Sequence, residues 1–296
     1  MKFNKITEQI NLDTKNIDQK PIQDILQSIN KEDMRIAEQV EKVIPDISSF
    51  IEGVVKKLKK KGRLIYIGSG TSGRLGVLDA SECPPTFGVS KDLVVGLIAG
   101  GDKALRESIE NAEDSLGDSI ASLKEINLSD NDVILGISAS GSTPYVMTAL
   151  QYGKKVGALT GFLTCNNIDS LEYVDCLIKV IVGPEVLSGS TRLKAGTATK
   201  MVLNMISTTS MMKMNRTYGN MMIDLLPNNK KLINRAVNII SQELKMDKHE
   251  AEKLYLSSGR NLKVAILMSK RDVTLDEANK IILDNKGSLS ESLNGQ

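Results

Sequence analysis

The sequence contains no tryptophan, a single histidine and three cysteines, and aromatic residues make up 3% of its 296 positions. So few aromatic residues leave little material for stacking nucleic-acid bases, and a net charge of +2 does not supply a broad cationic surface. A Ser-His-Asp triad, a Cys-His pair or a multi-histidine metal site would all have to rest on His249. We therefore expect neither nucleic-acid binding nor a metal centre.

Cysteine spacing and the lack of long apolar runs restrict the cellular setting. Cys83, Cys165 and Cys176 are odd in number and no pair is spaced as CxxC, which argues against a disulfide framework or a zinc site. The N-terminal stretch is polar and lacks the apolar core of a signal peptide. Apolar runs such as residues 93–99 are the length of strands, well short of the roughly 18–20 residues that a membrane helix needs. We expect a cytoplasmic protein without membrane association.

Hydrophobic periodicity divides the chain into three predicted parts. Residues 1–54 carry apolar positions at spacings of three or four, which indicates helices. In residues 55–226, apolar strand-length runs alternate with helical patterns, which predicts a parallel sheet covered on both faces. Residues 227–296 lack strands, and a capping signal such as Thr274 with Glu277 predicts a small three-helix bundle. The predicted fold class is α/β, a three-layer parallel sheet with N-terminal helices and a C-terminal helical bundle.

Two loops rich in glycine and hydroxyl side chains each follow a predicted strand and precede a predicted helix. They are residues 68–74, GSGTSGR, and residues 138–143, SASGST. Glycine lets the backbone approach a ligand closely, and free N–H groups at the start of a helix face an anion. Open α/β sheets bind ligands at the carboxyl ends of their strands, where these loops lie. The alternative is a pair of tight turns, but hydroxyls at four of the six positions of the second loop are more than a turn needs. The predicted phosphate-binding residues are Ser69, Gly70, Thr71, Ser72, Ser138, Ser140, Gly141, Ser142 and Thr143.

Both loops, and two longer stretches, resemble a known group of enzymes. Residues 138–143 resemble the S-x-S-G-x-T phosphate loop of the sugar isomerase domain, and residues 68–74 are similar to the first loop of that domain. Residues 78–88, LDASECPPTFG, resemble a stretch peculiar to the N-acetylmuramic acid 6-phosphate etherases. Residues 183–197, GPEVLSGSTRLKAGT, resemble a signature that these enzymes share with the glucokinase regulatory protein. The resemblance covers essentially the whole chain and implies a flavodoxin-like sheet, a ubiquitin-associated-like C-terminal bundle and a homodimer.

The activity implied by the resemblance is a carbon–oxygen lyase reaction of cell-wall amino-sugar catabolism and recycling. Elimination of D-lactate from C3 of N-acetylmuramic acid 6-phosphate, followed by addition of water, gives N-acetylglucosamine 6-phosphate. The reaction needs an acid and a base but no metal or organic cofactor. Glu82 and Glu113 match the catalytic glutamates of the etherases, with Glu82 as the proton donor and Glu113 as the second acid–base residue. By themselves the residues favour simpler interpretations: Glu113 as a surface charge on a helix predicted over residues 104–123, and Glu82 as a charge at a helix end.

Several alternatives stay open at this point. Arg192 and Lys194 lie where the predicted long helix begins, and they either hold the phosphate or a lactyl carboxylate, or pair with Glu185. A regulator that senses a sugar phosphate without turning it over would share much of the same sequence, as the glucokinase regulatory protein does. An aldose–ketose isomerase of the same fold also begins by removing a proton beside a carbonyl. An adaptor using the C-terminal bundle is a further possibility. Formation of D-lactate from the muramic acid phosphate discriminates among these functions.

Overall fold

The computed structural model of the protein describes residues 5–225 and 230–295. The chain divides into two compact units, the first formed by Met1–Ser81 and Lys91–Thr208 and the second by Glu82–Ser90 and Thr209–Gln296. The domain boundaries inferred from the sequence, after residues 54 and 226, stay a prediction.

A five-stranded sheet forms the centre of the first unit. Its strands are β1 (Leu64–Gly68), β2 (Val94–Ile98), β3 (Val133–Ile137), β4 (Leu159–Thr164) and β5 (Cys176–Lys179). Their order is β2-β1-β3-β4-β5, and every neighbouring pair is parallel. All five residues of β1 and all five of β3 are buried. Central parallel strands are covered on both faces, which is why these segments are continuous apolar runs. The predicted α/β class with a parallel sheet is confirmed.

Helices cover both faces of this sheet. The helices of the first unit are α1 (Ile22–Asp33), α2 (Ile36–Glu41), α3 (Ile44–Leu58), the start of α4 (Gly70–Phe87), α5 (Leu116–Glu125), α6 (Pro144–Val156) and most of α7 (Lys194–Lys213). On one face, Gly161 of β4 leaves room for Phe50 of α3, because an added Cβ would lie 2.4 Å from the Phe50 ring. On the other face, Gly136 of β3 accommodates Val146 and Leu150 of α6 in the same way. The predicted three layers are therefore present.

The helix expected over residues 104–123 is shorter than the sequence pattern indicated. Only α5 is α-helical here, and two 3-10 turns, Asp102–Leu105 and Ala112–Asp114, precede it. Asn111 has the left-handed conformation, with φ of 60°, and the Ser115 side chain accepts the N–H of Asp118 as a cap. The left-handed residue interrupts the helical path, and the cap starts a new helix after it.

The second unit is built mainly from helices. An antiparallel pair, β6 (Thr217–Tyr218) and β7 (Met221–Met222), precedes α8 (Lys230–Leu244), α9 (Lys248–Ser257), α10 (Leu262–Arg271), α11 (Leu275–Asp284) and α12 (Leu289–Asn294). Residues 230–295 thus contain five helices where the sequence predicted three. The capping box of Thr274 and Glu277 at the start of α11 is confirmed. Within the described ranges, no helix is both long enough and apolar enough to cross a membrane.

Candidate functional site

The two predicted loops meet at one edge of the sheet. β1 ends at Gly68 and β3 at Ile137, and the two strands are paired neighbours in parallel register. The loops that follow therefore open at the same carboxyl edge, where open α/β sheets bind ligands. A cavity of about 450 Å³ lies there. Its lining comprises Lys5, Glu8, Ser69, Gly70, Thr71, Ser72, Glu113, Asp114, Ile137, Ser138, Ala139, Ser140, Ser142, Thr143, Pro144, Gly189 and Thr191.

The second loop gathers its hydroxyl groups into this cavity. The Ser138 hydroxyl lies 2.7 Å from the Thr143 hydroxyl and 3.2 Å from that of Ser140. Gly141 turns the chain with φ of +72°, and an added Cβ would lie 3.0 Å from the Thr164 hydroxyl, so a side chain is excluded there on both counts. α6 begins at Pro144, directly after the loop, and contributes the positive end of its dipole. The loop is therefore suited to bind an anion through hydroxyl groups and the start of a helix.

The first loop completes the opposite wall. α4 begins at Gly70, so the N–H groups of its first turn lack helical partners. Gly68 packs against the turn so tightly that an added Cβ would lie 2.7 Å from the Gly73 nitrogen. Eight of the nine loop residues predicted to bind phosphate line the cavity, namely Ser69, Gly70, Thr71, Ser72, Ser138, Ser140, Ser142 and Thr143. The ninth, Gly141, is buried and shapes the turn.

Glu113 lies at the junction between this cavity and a smaller one of about 230 Å³. The Ser69 hydroxyl donates to its carboxylate at 3.5 Å. The segment that leads to Glu113 is tied to α4, because the Arg74 guanidinium donates to the carbonyls of Leu105 and Glu107 at 3.2 and 3.1 Å. The exposed Glu113 carboxylate is thereby positioned beside the first loop. It lies on a 3-10 turn and not on the helix that the sequence predicted.

Glu82 lies on α4, the helix that begins at Gly70. An α-helix rises about 1.5 Å per residue, so the backbone of Glu82 lies about 18 Å along the axis from Gly70. Its side chain is exposed, and it is not among the described residues that line the cavity. Glu113 therefore lies beside the first loop, whereas Glu82 belongs to the second compact unit.

Lys194 and Arg192 have other surroundings than the loops. Lys194 is 2% exposed, and its ammonium group lies 2.5 Å from the Glu32 carboxylate. The pairing with Glu185 also exists, but through the backbone, because the N–H groups of Lys194 and Ala195 both donate to that carboxylate at 2.9 Å. Arg192 is exposed, and neither basic residue is among the described lining of the cavity.

Burial and hydrogen bonds act in opposite directions on these acidic groups. Burial alone raises the pKa of Glu32, but its hydrogen bond and charge interaction with Lys194 lower it on balance. Burial also raises the pKa of Glu185, and here the backbone donors offset only part of the effect. Glu32 is therefore stabilised as a carboxylate by its partners, which makes the Lys194 pair a structural element of the first unit.

Two lining residues were missed by the sequence reasoning. Lys5 and Glu8 line the cavity, and Lys5 donates to the Ser142 hydroxyl at 2.5 Å. They lie far from both loops in the sequence, in a part of the predicted helical segment that forms short 3-10 turns instead of α-helix. The resemblance to the etherases extends over this segment too, but it assigns no role to either side chain.

Cysteine and metal chemistry leave few candidates. Burial raises the pKa of the Cys165 thiol to about 12, and Cys83 is buried as well. A buried thiol of raised pKa is a poor nucleophile. Across residues 5–225 and 230–295, no group of three or more histidine, cysteine, aspartate or glutamate side chains is arranged to hold a metal ion.

Comparison with known proteins identifies the family. Residues 46–154 match the family model of the glucokinase regulatory protein N-terminal SIS domain. The chain is 49% identical over 288 residues to an N-acetylmuramic acid 6-phosphate etherase of Clostridium botulinum (strain Eklund 17B), an alignment covering 97% of this chain and 96% of the relative. An N-acetylmuramic acid 6-phosphate etherase of Caldanaerobacter subterraneus is 49% identical over 289 residues, covering 97% of this chain and 94% of the relative.

Among solved structures, a phosphoheptose isomerase from Neisseria gonorrhoeae is similar at 15% sequence identity with a TM-score of 0.47, covering 64% of this chain and 98% of that chain. The two bacterial etherases, in contrast, align with almost the full length of the sequence. The chain belongs to the N-acetylmuramic acid 6-phosphate etherase family.

Proposed function

We propose that this protein is an N-acetylmuramic acid 6-phosphate etherase, a lyase that yields D-lactate and N-acetylglucosamine 6-phosphate. The relatives that carry this name align over 97% of the chain. The structural observation that carries the proposal is the placement of the Glu113 carboxylate beside a hydroxyl-lined anion pocket. A phosphorylated sugar needs such a pocket for its phosphate, and the lyase reaction needs an acid–base group next to it.

The phosphate is held by the second loop and the start of α6. The hydroxyls of Ser138, Ser140 and Thr143 converge there, and the positive end of the α6 dipole favours an anion without adding a charged side chain. A phosphate fixed at this end places the sugar across the cavity toward the first loop. The reacting carbons then lie within reach of Glu113. Because the sugar has already lost its translational and rotational freedom on binding, that entropy is not lost again during the chemical step.

The chemistry begins with opening of the sugar ring, which makes the proton on C2 acidic because an aldehyde is adjacent. A carboxylate removes that proton, and the electron pair forms a C2–C3 double bond as the C3–O bond to lactate breaks. A carboxylic acid supplies the proton that the departing lactate oxygen takes up. Water then adds to C3, and a proton returns to C2. We assign Glu113 to proton transfer at C2 or on the water and Glu82 to protonation of lactate, as the family resemblance implies.

Glu82 enters this scheme through a second copy of the chain. About 18 Å of helix separates its backbone from Gly70, and Glu82 is not among the described residues that line the cavity of its own chain. A two-fold homodimer in which α4 of each copy approaches the other copy's loops would supply it. We therefore propose a homodimer with sites shared between subunits, acting in the cytoplasm on muramic acid derived from the cell wall, without a cofactor.

Release of D-lactate from N-acetylmuramic acid 6-phosphate tests the activity. We expect Glu113→Gln to lower kcat at least a hundredfold, because a positioned acid–base group contributes 10²–10⁴-fold. Glu125→Gln makes the same chemical change at an exposed position of α5 and should keep the parent rate. Absence of lactate from the parent protein, with the sugar phosphate still bound, would make the protein a sensor and refute the proposal.

A mixing experiment tests the shared site. Glu82→Gln and Glu113→Gln chains are unfolded together and refolded at equal concentration, so that half of the dimers are hybrids. Each hybrid has one site with both glutamates intact if Glu82 works in the other subunit, and the mixture should recover about a quarter of the parent activity. No recovery in a mixture that contains hybrids would place both glutamates in the same chain.

A further inference from the structure

Most of the ionisable side chains on the cavity wall are acidic, although the two loops are suited to bind a negatively charged phosphate. Its described lining contains three carboxylic side chains, Glu8, Glu113 and Asp114. The loops themselves contribute hydroxyls and backbone N–H groups, which are uncharged donors. A sugar phosphate brings a charge of about −2 at neutral pH into this environment. Binding it against three carboxylic groups calls for a cation close to the phosphate.

Among the described residues lining the cavity, Lys5 is the only basic one. Its ammonium group donates to the Ser142 hydroxyl at 2.5 Å. Ser142 belongs to the second loop, two positions from the start of α6, so the charge lies at the place where the phosphate oxygens would bind. Lys194, for which the sequence left a phosphate-binding role open, has its ammonium group paired with Glu32 in the interior.

A network of hydrogen bonds attaches the N-terminal segment to the second loop. The Asn166 amide donates to the Ala139 carbonyl of the loop at 2.8 Å and to the Thr7 hydroxyl at 2.9 Å. The Thr7 N–H donates back to the Asn166 side-chain oxygen at 3.4 Å, and the Gly189 N–H donates to the Thr7 carbonyl at 3.1 Å. Both Thr7 and Asn166 are buried, with exposed fractions of 0% and 2%.

This network fixes the backbone only two residues from Lys5. A buried, mutually bonded pair has little freedom, and it joins the N-terminal segment directly to the loop that surrounds the phosphate position. The fold therefore holds the backbone next to Lys5 close to the loop, where its ammonium group contacts Ser142.

We propose that Lys5 binds the phosphate of the substrate, and that the N-terminal segment is thereby a wall of the site. The assignment rests on the proposed function for the identity of the sugar phosphate, and on the contact with Ser142 for its location. Lys5 acts as a point charge that pairs with the phosphate oxygens while the loop hydroxyls and N–H groups orient them.

Calorimetric titration of the full chain with N-acetylglucosamine 6-phosphate and with inorganic phosphate tests this assignment. We expect Lys5→Met to weaken both affinities roughly tenfold, the lower end for a charge-assisted hydrogen bond because the side chain is half-exposed. Lys5→Arg should retain most of the affinity. Lys15→Met, which removes an equal charge from an exposed position of the same segment, should bind like the parent.

Salt dependence and steady-state kinetics separate phosphate binding from a structural effect. The parent affinity should fall more steeply with ionic strength than that of Lys5→Met, since one ion pair has been removed. Lys5→Met should raise KM about tenfold and leave kcat within about twofold, because a phosphate contact is the same in the ground state and the transition state. A lower kcat at unchanged KM, or an affinity equal to that of the parent, would overturn the assignment.

The outcomes distinguish this inference from the proposed activity. If the sugar phosphate binds in a Lys5-dependent way and no lactate forms, the Lys5 assignment stands and the etherase proposal fails. If lactate forms and Lys5→Met keeps the parent KM and affinity, the etherase proposal stands and the Lys5 assignment fails.

Discussion

Replacement of Lys194 by methionine separates a structural role for this residue from a role in binding. The Lys194 ammonium and the Glu32 carboxylate have side-chain exposures of 3% and 4%, so the substitution leaves a buried carboxylate without its main partner. Removing one member of a buried ion pair typically costs about 3–5 kcal/mol, because the other charge is left uncompensated. Glu32 keeps bonds from Arg35 and Asn11, both at 2.9 Å. We therefore expect a loss at the lower end, about 3 kcal/mol in the free energy of unfolding.

Urea denaturation followed by far-ultraviolet circular dichroism measures this loss. Lys200→Met provides the matched control, because it removes a lysine from an exposed position on the same helix, α7. We expect it to change the free energy of unfolding by less than about 0.5 kcal/mol. The double variant Glu32→Gln/Lys194→Met should recover part of the loss, since the unpaired charge is then gone.

Binding data complete the test of Lys194. Under conditions in which Lys194→Met is folded, it should bind N-acetylglucosamine 6-phosphate with close to the parent affinity. The reason is that Lys194 is absent from the described lining of the cavity. A stability equal to that of the parent, together with a large loss of affinity for the sugar phosphate, would refute the structural role. That result would return Lys194 to the phosphate-binding role that its position in the sequence suggested.

Two further predictions follow from hydrogen bonds around the sheet. Asn166→Ala removes the link between Thr7 and the second loop, and it should raise KM severalfold and lower the free energy of unfolding by about 1–3 kcal/mol, as measured by kinetics and urea denaturation. Burial raises the pKa of Asp132, but hydrogen bonds from the Arg63 guanidinium and the Ser129 N–H lower it on balance below 3.8. Its contribution to stability is therefore fully present above its ordinary pKa and is lost as the pH falls through the lowered one. Asp132→Asn should flatten the stability profile below about pH 4, and an unchanged acid profile would contradict this reasoning.

The sheet and both loops could be predicted because their signals are local. β1 and β3 are short apolar runs bounded by glycine and hydroxyl residues. A continuous apolar run is itself the pattern expected of a parallel strand that is buried on both faces. Once a parallel sheet is inferred, loops after paired strands must lie at one edge. The convergence of Ser69 and Ser138 on one cavity therefore follows from the sequence and from strand order alone.

The rest of the site depends on contacts that no local pattern encodes. Lys5 and Ser142 are separated by 137 positions, and Lys194 and Glu32 by 162. The sequence around a lysine does not show whether its ammonium group pairs with a carboxylate inside the protein or faces a ligand. For Lys5 and Lys194, the packing of the N-terminal segment decides which of the two occurs. The 3-10 turn at Glu113 was hidden for a related reason: the surrounding charges fit a helix that Asn111 interrupts.

The position of an isotope label in the products tests the etherase reaction most directly. The parent protein is incubated with N-acetylmuramic acid 6-phosphate in H₂¹⁸O, and both products are fragmented in a mass spectrometer, with N-acetylglucosamine 6-phosphate alone in H₂¹⁸O as the control for exchange at C1. Elimination and water addition predict ¹⁸O at C3 of the sugar and unlabelled D-lactate, with the signal strongly reduced in Glu113→Gln. Label in the lactate, or no lactate at all, would contradict the proposed reaction.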